Sequence, residues 1–143
     1  MAVPTLAEAR AFFRRAAFIA DIGIEVDAVG EGECTTSLAI APRHLQHSGQ
    51  VHAGVLTTMA DHTAGAAAQT LAAEGSFVST VELKISLLRP ARGERLVCRG
   101  SVLKPGNQLS FVEADVHCIA AGKEFLVAKV SATMVMVSTR NLV

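Results

Sequence analysis

The sequence predicts an α+β domain in which an antiparallel sheet curls around one long buried helix. Three observations predict it. Residues 53 to about 73, "AGVLTTMADHTAGAAAQTLAA", are small or apolar almost all round, which marks a helix enclosed by other structure. Runs that alternate in hydrophobicity lie on both sides of that helix, two before it and four after it. Hairpin-length turns join the later runs, and links that short pair strands antiparallel. A sheet that wraps the helix buries it on every side.

The elements follow in order. Thr5 and Glu8 form a T-x-x-E capping box, and Leu6, Ala9, Phe13 and Ala16 then repeat at helical spacing, so a helix is expected within residues 1–19. Arg10, Arg14 and Arg15 fall mostly off that stripe, on a solvated face. In "DIGIEVDAVG", Ile22, Ile24, Val26 and Ala28 alternate with polar or small residues; in "ECTTSLAI", Thr36, Leu38 and Ile40 do the same. The turn from Gly30 to Glu33 makes these a hairpin, and Pro42 ends the second strand. Inside the long helix Gly65 costs about 1 kcal/mol relative to Ala, which is expected where another backbone packs close. In "FVSTVELKISLL", Val81, Leu83, Ile85 and Leu87 take one face and Thr80, Glu82, Lys84 and Ser86 the other. "ERLVCRGSVLK", then "LSFVEADVHCIA" with Val112, Ala114, Val116 and Cys118 on one face, then "FLVAKVSATMVMV" complete the sheet. Residues 138–143 read as a loose tail.

Composition narrows the function. A chain of 143 residues fits a single domain, 1–143, large enough to fold without disulfides or metal. Thirteen Lys and Arg balance thirteen Asp and Glu, so the basic excess of a nucleic-acid binder is missing. With no Trp or Tyr and six Phe, stacking platforms for bases are scarce. Cys34, Cys98 and Cys118 are widely spaced within strand-like runs and read as small buried hydrophobes in a reducing compartment. The N-terminal segment lacks a signal-type apolar core, and Asp61 and His62 interrupt the longest apolar stretch, so neither secretion nor a membrane span is expected. The expectation is a soluble cytoplasmic protein.

One stretch stands out, "HLQHSGQVHAGVLTTMADHTAG", residues 44–65, because it carries a carboxylate, Asp61, through apolar surroundings. A buried carboxylate is costly unless it is paired or used. From Gln46 through Gly49 and His52-Ala53-Gly54 to Asp61, the segment resembles the signature of the phenylacetate-degradation (PaaI-like) thioesterases: Asn, two residues, Gly, two residues, His-Gly-Gly, six residues, Asp. "STVELKISLLRPARG" is similar to that family's strand after the helix. The resemblance covers residues 20 to 137 or so, and it implies the hotdog fold and hydrolysis of acyl-CoA thioesters without a cofactor. Two positions depart from it: Ala53 stands where the family has its first glycine after His, and Gln46 where it has asparagine.

The chemistry these residues support is readable without the family. A helix N-terminus offers unpaired N–H groups and a partial positive charge, so the N–H groups of Ala53 and Gly54 are candidates to hold a carbonyl oxygen as it becomes an oxyanion. Alanine retains the backbone N–H that a glycine would provide. Gly49 allows the approach loop a backbone shape that other residues resist, and His52 would orient that loop through a hydrogen bond. Asp61 is the candidate general base toward water, or the nucleophile itself. It lies eight residues from Ala53, about 12 Å at helical rise, so both can reach one carbonyl only from different copies of the chain. A homodimer with two symmetric sites follows. The resemblance agrees: it implies Gln46 and Ala53 on one subunit, and Asp61 with a strand hydroxyl on the other. That hydroxyl is Thr80 or the neighbouring Ser79, with Thr63 a weaker candidate. Leu56, Met59 and Ala60 are expected to line part of the acyl space between subunits. The face carrying Thr80, Glu82 and Lys84 is either solvated or joins two dimers into a tetramer.

His44, His47, His52 and His62 do not follow a metal-ligand spacing, so no metal is expected. Arg89, Arg92, Arg95, Lys104 and Lys123 sit at strand ends and turns, where they could meet the phosphates of coenzyme A. Two rival readings remain on the same fold. One is a non-catalytic acyl-CoA-binding or sensing domain; the other is a hydratase, whose Asp-x-Asn-x-x-His pattern the chain lacks.

Overall fold

A computed structural model describes residues 2–141. Its elements are α1 (Leu6–Arg15), α2 (Ala17–Ile22), β1 (Glu25–Gly30), β2 (Glu33–Ala39), α3 (Ala53–Gln69), β3 (Ser76–Leu87), β4 (Arg95–Lys104), β5 (Leu109–Ala120) and β6 (Lys123–Ser138), with short 3-10 turns at Pro42–His44 and Thr139–Asn141. The six strands form one antiparallel sheet in the order β1-β2-β4-β5-β6-β3. The sheet curls around α3, as expected. Residues 138–141, read as part of a tail, close β6 and add a 3-10 turn; Leu142 and Val143 lie outside the described residues.

α3 packs so close to the sheet that its buried face is built largely of small residues: Ala60, Ala64, Ala67 and Ala68 are fully buried beside Met59 and Thr63. Thr63 is a core group here, not a site hydroxyl. Its Oγ1–H donates to the Met59 carbonyl at 2.6 Å, so the Thr36 hydroxyl donates to Thr63 Oγ1 at 2.7 Å and ties β2 to the helix. The glycine that permits the approach lies in the sheet. A Cβ on Gly100 of β4 would stand 2.9 Å from the Thr63 carbonyl oxygen and 3.1 Å from Ala64 N. Gly65, expected to face a close backbone, meets only the Met134 methyl at 3.9 Å. Cys34, Cys98 and Cys118 are buried and unbridged, and burial pushes the Cys34 and Cys98 thiols up to about 12.

Four expectations need correction, each for a local reason. The N-terminal helix breaks at Ala16, whose backbone is extended, and resumes as α2. Phe13 and Ile19 are both buried. On one continuous helix, six residues at about 100° each would set them on different faces, and the break brings both to the core. Ile22 therefore ends a helix instead of starting a strand, and Gly23, at φ +93, turns the chain into β1. In β1 a bulge between Val26 and Ala28 turns Ala28 outward. Finally, α3 stops at Gln69, not near 73. Leu71 and Ala72 N–H groups bond back only three residues, and Thr70 Oγ1 accepts from Gly32 N at 2.8 Å, tightening the last turn onto the β1–β2 hairpin.

Gly100→Ala is expected to destabilise the protein by about 1–3 kcal/mol through overpacking, whereas Gly65→Ala should raise stability by up to about 1 kcal/mol. Denaturant unfolding of the two variants beside the parent checks the contrast.

Candidate active site

α3 carries candidate groups at two places, its N-terminus and its middle. At its N-terminus, His52 is the cap residue: its Nδ1 accepts the Gly54 N–H at 2.8 Å, and its carbonyl accepts from Val55 at 2.9 Å. Gly54 suits this geometry by its size, since a Cβ there would come within 3.0 Å of His52 Nδ1. Of the two N–H groups singled out from sequence, Gly54's is thus engaged. Among the described residues the Ala53 N–H has no acceptor, and Ala53 lines a cleft.

The approach loop holds that tip in place. Gln46 N donates to Gln50 O and Gly49 N to Gln46 O, both at 2.9 Å, with Gly49 at φ +82, a conformation glycine adopts without strain. His52 N donates to His44 O, and Val51 N to Ala91 O. His44 itself is buried: Nδ1 accepts from Ala41 N, so Nε2 carries the proton and donates to Ile22 O at 2.6 Å. The Gln46 amide donates to Ser48 Oγ at 2.8 Å. Gln46, Val51, Ala53, Leu56, Leu88 and Arg89 are among the residues around a cleft of about 310 Å³. Of the expected acyl-lining residues, Leu56 reaches this cleft, while Met59 and Ala60 are sealed in the core.

Midway along α3, Asp61 opens into a second cleft of about 200 Å³ with Phe13, His62, Gly65, Val78, Thr80 and Met134 in its walls. Thr80 Oγ1 lies 2.7 Å from Asp61 Oδ1 and 3.2 Å from Met134 Sδ. Its single proton goes to the carboxylate, the stronger acceptor, and Asp61 Oδ2 has no donor among the described residues. Among the described residues Asp61 forms no ion pair.

A bulge puts Thr80 there. Strict alternation places it on the outer face with Glu82 and Lys84. In β3 the register slips between Thr80 and Glu82: Thr80 pairs Met134, Glu82 pairs Thr133 and Leu83 pairs Ala132. Val81 is the extra residue, 60% exposed, so Thr80 and Leu83 both face the helix. Ser79 points to the opposite face. His62 packs edge-on against Phe13, ring centroids 4.5 Å apart, and its buried Nε2 has no hydrogen-bond partner among the described residues. His44, His52 and His62 therefore serve a turn, a cap and a cleft wall. Of the five cationic candidates, Arg89 lines the first cleft and Arg92 lies against Gly49; Arg95 is tied to Asp27 and Ser37.

Comparison with known proteins identifies the family. Residues 48–123, more than half the chain, match the family model of the thioesterase superfamily. The chain belongs to that superfamily, and its class is that of a thioester hydrolase. A crystal structure of a thioesterase family protein from Silicibacter pomeroyi superposes with a TM-score of 0.88 at 32% identity, covering 91% of this chain and 96% of that one. The Escherichia coli PaaI protein, at 18% identity and TM-score 0.80 over 94% and 97% of the two chains, shares the fold. The medium/long-chain acyl-CoA thioesterase YigI of E. coli is 36% identical over 42 residues, 29% of this chain and 27% of its own. A curated relative from Halobacterium salinarum matches over 66% of each chain at 29% identity. No helix of the described residues is long and apolar enough to cross a membrane.

Burial pushes the His62 imidazole below its ordinary value, and the Asp61 charge opposes this. A histidine held neutral by the fold contributes stability that is present above its unfolded value, near 6.5, and is lost as pH falls through the folded value. The melting temperature is expected to drop between pH 7 and pH 5, and His62→Phe to reduce that drop; thermal melts at both pH values check it.

Proposed function

We propose that the protein hydrolyses acyl-CoA thioesters at two symmetric sites, each assembled from two copies of the chain. One observation carries this reading. Ala53, whose N–H is unpaired among the described residues, and Asp61, which the β3 residue Thr80 holds, sit on the same helix about 12 Å apart and line separate clefts. Each cleft holds half of what thioester hydrolysis needs, and a two-fold axis would bring unlike halves together.

In the joined site the Ala53 N–H of one copy receives the thioester carbonyl oxygen, aided by the positive end of α3. Asp61 of the other copy, held by Thr80 through Oδ1, works through Oδ2. As a general base it takes a proton from water; hydroxide adds to the carbonyl, the oxyanion collapses, and the leaving thiolate recovers the proton from Asp61. As a nucleophile it forms a mixed anhydride that water then opens. A single turnover in isotopically labelled water reports the nucleophilic route where water opens the anhydride at the Asp61 carbonyl, since oxygen from Asp61 then leaves in the first product acid and the label enters Asp61. Gln46, at the rim of the first cleft, orients water or substrate. Gly49 and His52 keep the tip in shape. Arg89 borders the same cleft and Arg92 lies beside Gly49 of the approach loop; both suit the phosphates of coenzyme A. The name of the YigI relative supports an acyl-CoA substrate.

Asp61→Asn is expected to lower kcat by about 10²-fold or more. Ala53→Pro removes the one N–H while keeping a residue favoured at the first helical position, and should lower kcat by about 10²–10³-fold with the fold intact. Co-expressed at equal levels, the two variants should regain about a quarter of parental activity: half of the dimers are mixed, and each mixed dimer holds one complete site of two. A thiol-release assay reads all three. Recovery no greater than that of the single variants would remove the shared site, and acyl-CoA binding without thiol release in the parent would make the protein a sensor.

A further inference from the structure

The cleft beside Asp61 does not end at Gly65. Phe12, Phe13, Ala66 and Gln69 line it and also line an adjoining cavity of about 330 Å³ beneath α1, whose walls include Ala9, Val29 and Cys34. Beyond Asp61 and His62, the polar side chains along this path are engaged. The Gln69 amide donates to Ser76 O at 3.1 Å and accepts from Val78 N at 3.0 Å. The Thr70 hydroxyl donates to Ala67 O and accepts from Gly32 N. Glu8, at the outer rim, is held by the Thr5 cap. Burial keeps the Cys34 thiol uncharged. What remains exposed inside is hydrocarbon and aromatic surface.

Gly65 gives a second, independent observation. A glycine inside a helix is destabilising, yet no neighbouring backbone requires this one: a Cβ would meet only the Met134 methyl, at 3.9 Å. What its missing side chain leaves is open space between Asp61 and the cavity under α1.

Resting on the catalytic reading above, we infer that the substrate's acyl chain runs from Asp61 across Gly65 into the cavity beneath α1, and that Gly65 and Phe12 set the length of linear chain accepted. The path follows α3 from Asp61 to Gln69, a rise of about 12 Å. An extended alkyl chain advances about 1.25 Å per carbon, from tetrahedral geometry at C–C distances near 1.5 Å, so the path holds on the order of ten carbons. Medium-length acyl groups fit; an arylacetyl group would fill only the part nearest Asp61.

The test is a chain-length series, butanoyl- to hexadecanoyl-CoA, on the parent and on Gly65→Leu. The parent's kcat/KM is expected to peak near decanoyl. Leucine at 65 should move the peak to shorter chains and cut the decanoyl-to-butanoyl ratio by about 10-fold or more. Phe12→Trp, which narrows the passage from the α1 side, should shift the ratio the same way and serves if Gly65→Leu does not fold. Calorimetric Kd values for the same esters, measured on Asp61→Asn with and without the second substitution, should show the same ordering. Folded variants that keep the parental length profile overturn the inference. Full thiol release by Asp61→Asn overturns the catalytic reading instead, and the kcat/KM length profiles of Gly65→Leu and Phe12→Trp then still decide where the chain lies.

Discussion

The distance between the backbone of α3 and the strand beside it governs most of this molecule. At Gly100 the sheet comes close enough to Thr63 that a single added carbon would overlap the helix carbonyl. Such an approach works only if the helix turns alanines toward the sheet and the strand gives up a side chain. It lets one 17-residue helix be wrapped by six strands with very few large residues of its own. It also holds α3 rigidly, through Thr36, Thr63 and the Met59 carbonyl, so that groups on its outer face keep fixed positions.

That rigidity turns a helix into a ruler. The free N–H at its tip and the carboxylate two turns along lie too far apart to meet on one reacting atom, and no loop motion alters a spacing set by helical rise. The caps sharpen the division of labour. His52 consumes one donor and accepts others through its carbonyl, leaving Ala53 as the tip's open donor, while Thr80 consumes one oxygen of Asp61 and leaves the other. At each of the two places one candidate group is left available beside one cleft.

Much of this was readable in the residues. The apolar run from Ala53, the hairpin turns and the alternation of β5 carry strong local signals, and they match the strands and helix found. Asp61 was conspicuous because a carboxylate is expensive in that setting. The rest depended on tertiary geometry that local pattern does not encode. Gly65 and Gly100 look alike in sequence, but the close contact falls on the strand glycine and the open space on the helical one. Gly54 and Ala53 both open a helix, and only the side chain of His52 distinguishes the engaged donor from the free one. The break at Ala16 leaves no proline or glycine as a marker; it follows from burying both Phe13 and Ile19.

The bulge at Val81 reaches beyond this chain. It inserts one residue between the inward-facing Leu83 and the inward-facing hydroxyl, so that hydroxyl sits three positions upstream of Leu83. In a straight strand the corresponding inward position is two upstream. A gapless alignment with a straight-stranded homologue would therefore set Val81 against that homologue's hydroxyl and score the group as lost. The hydroxyl would hold the same position in space while its column in the alignment moved by one.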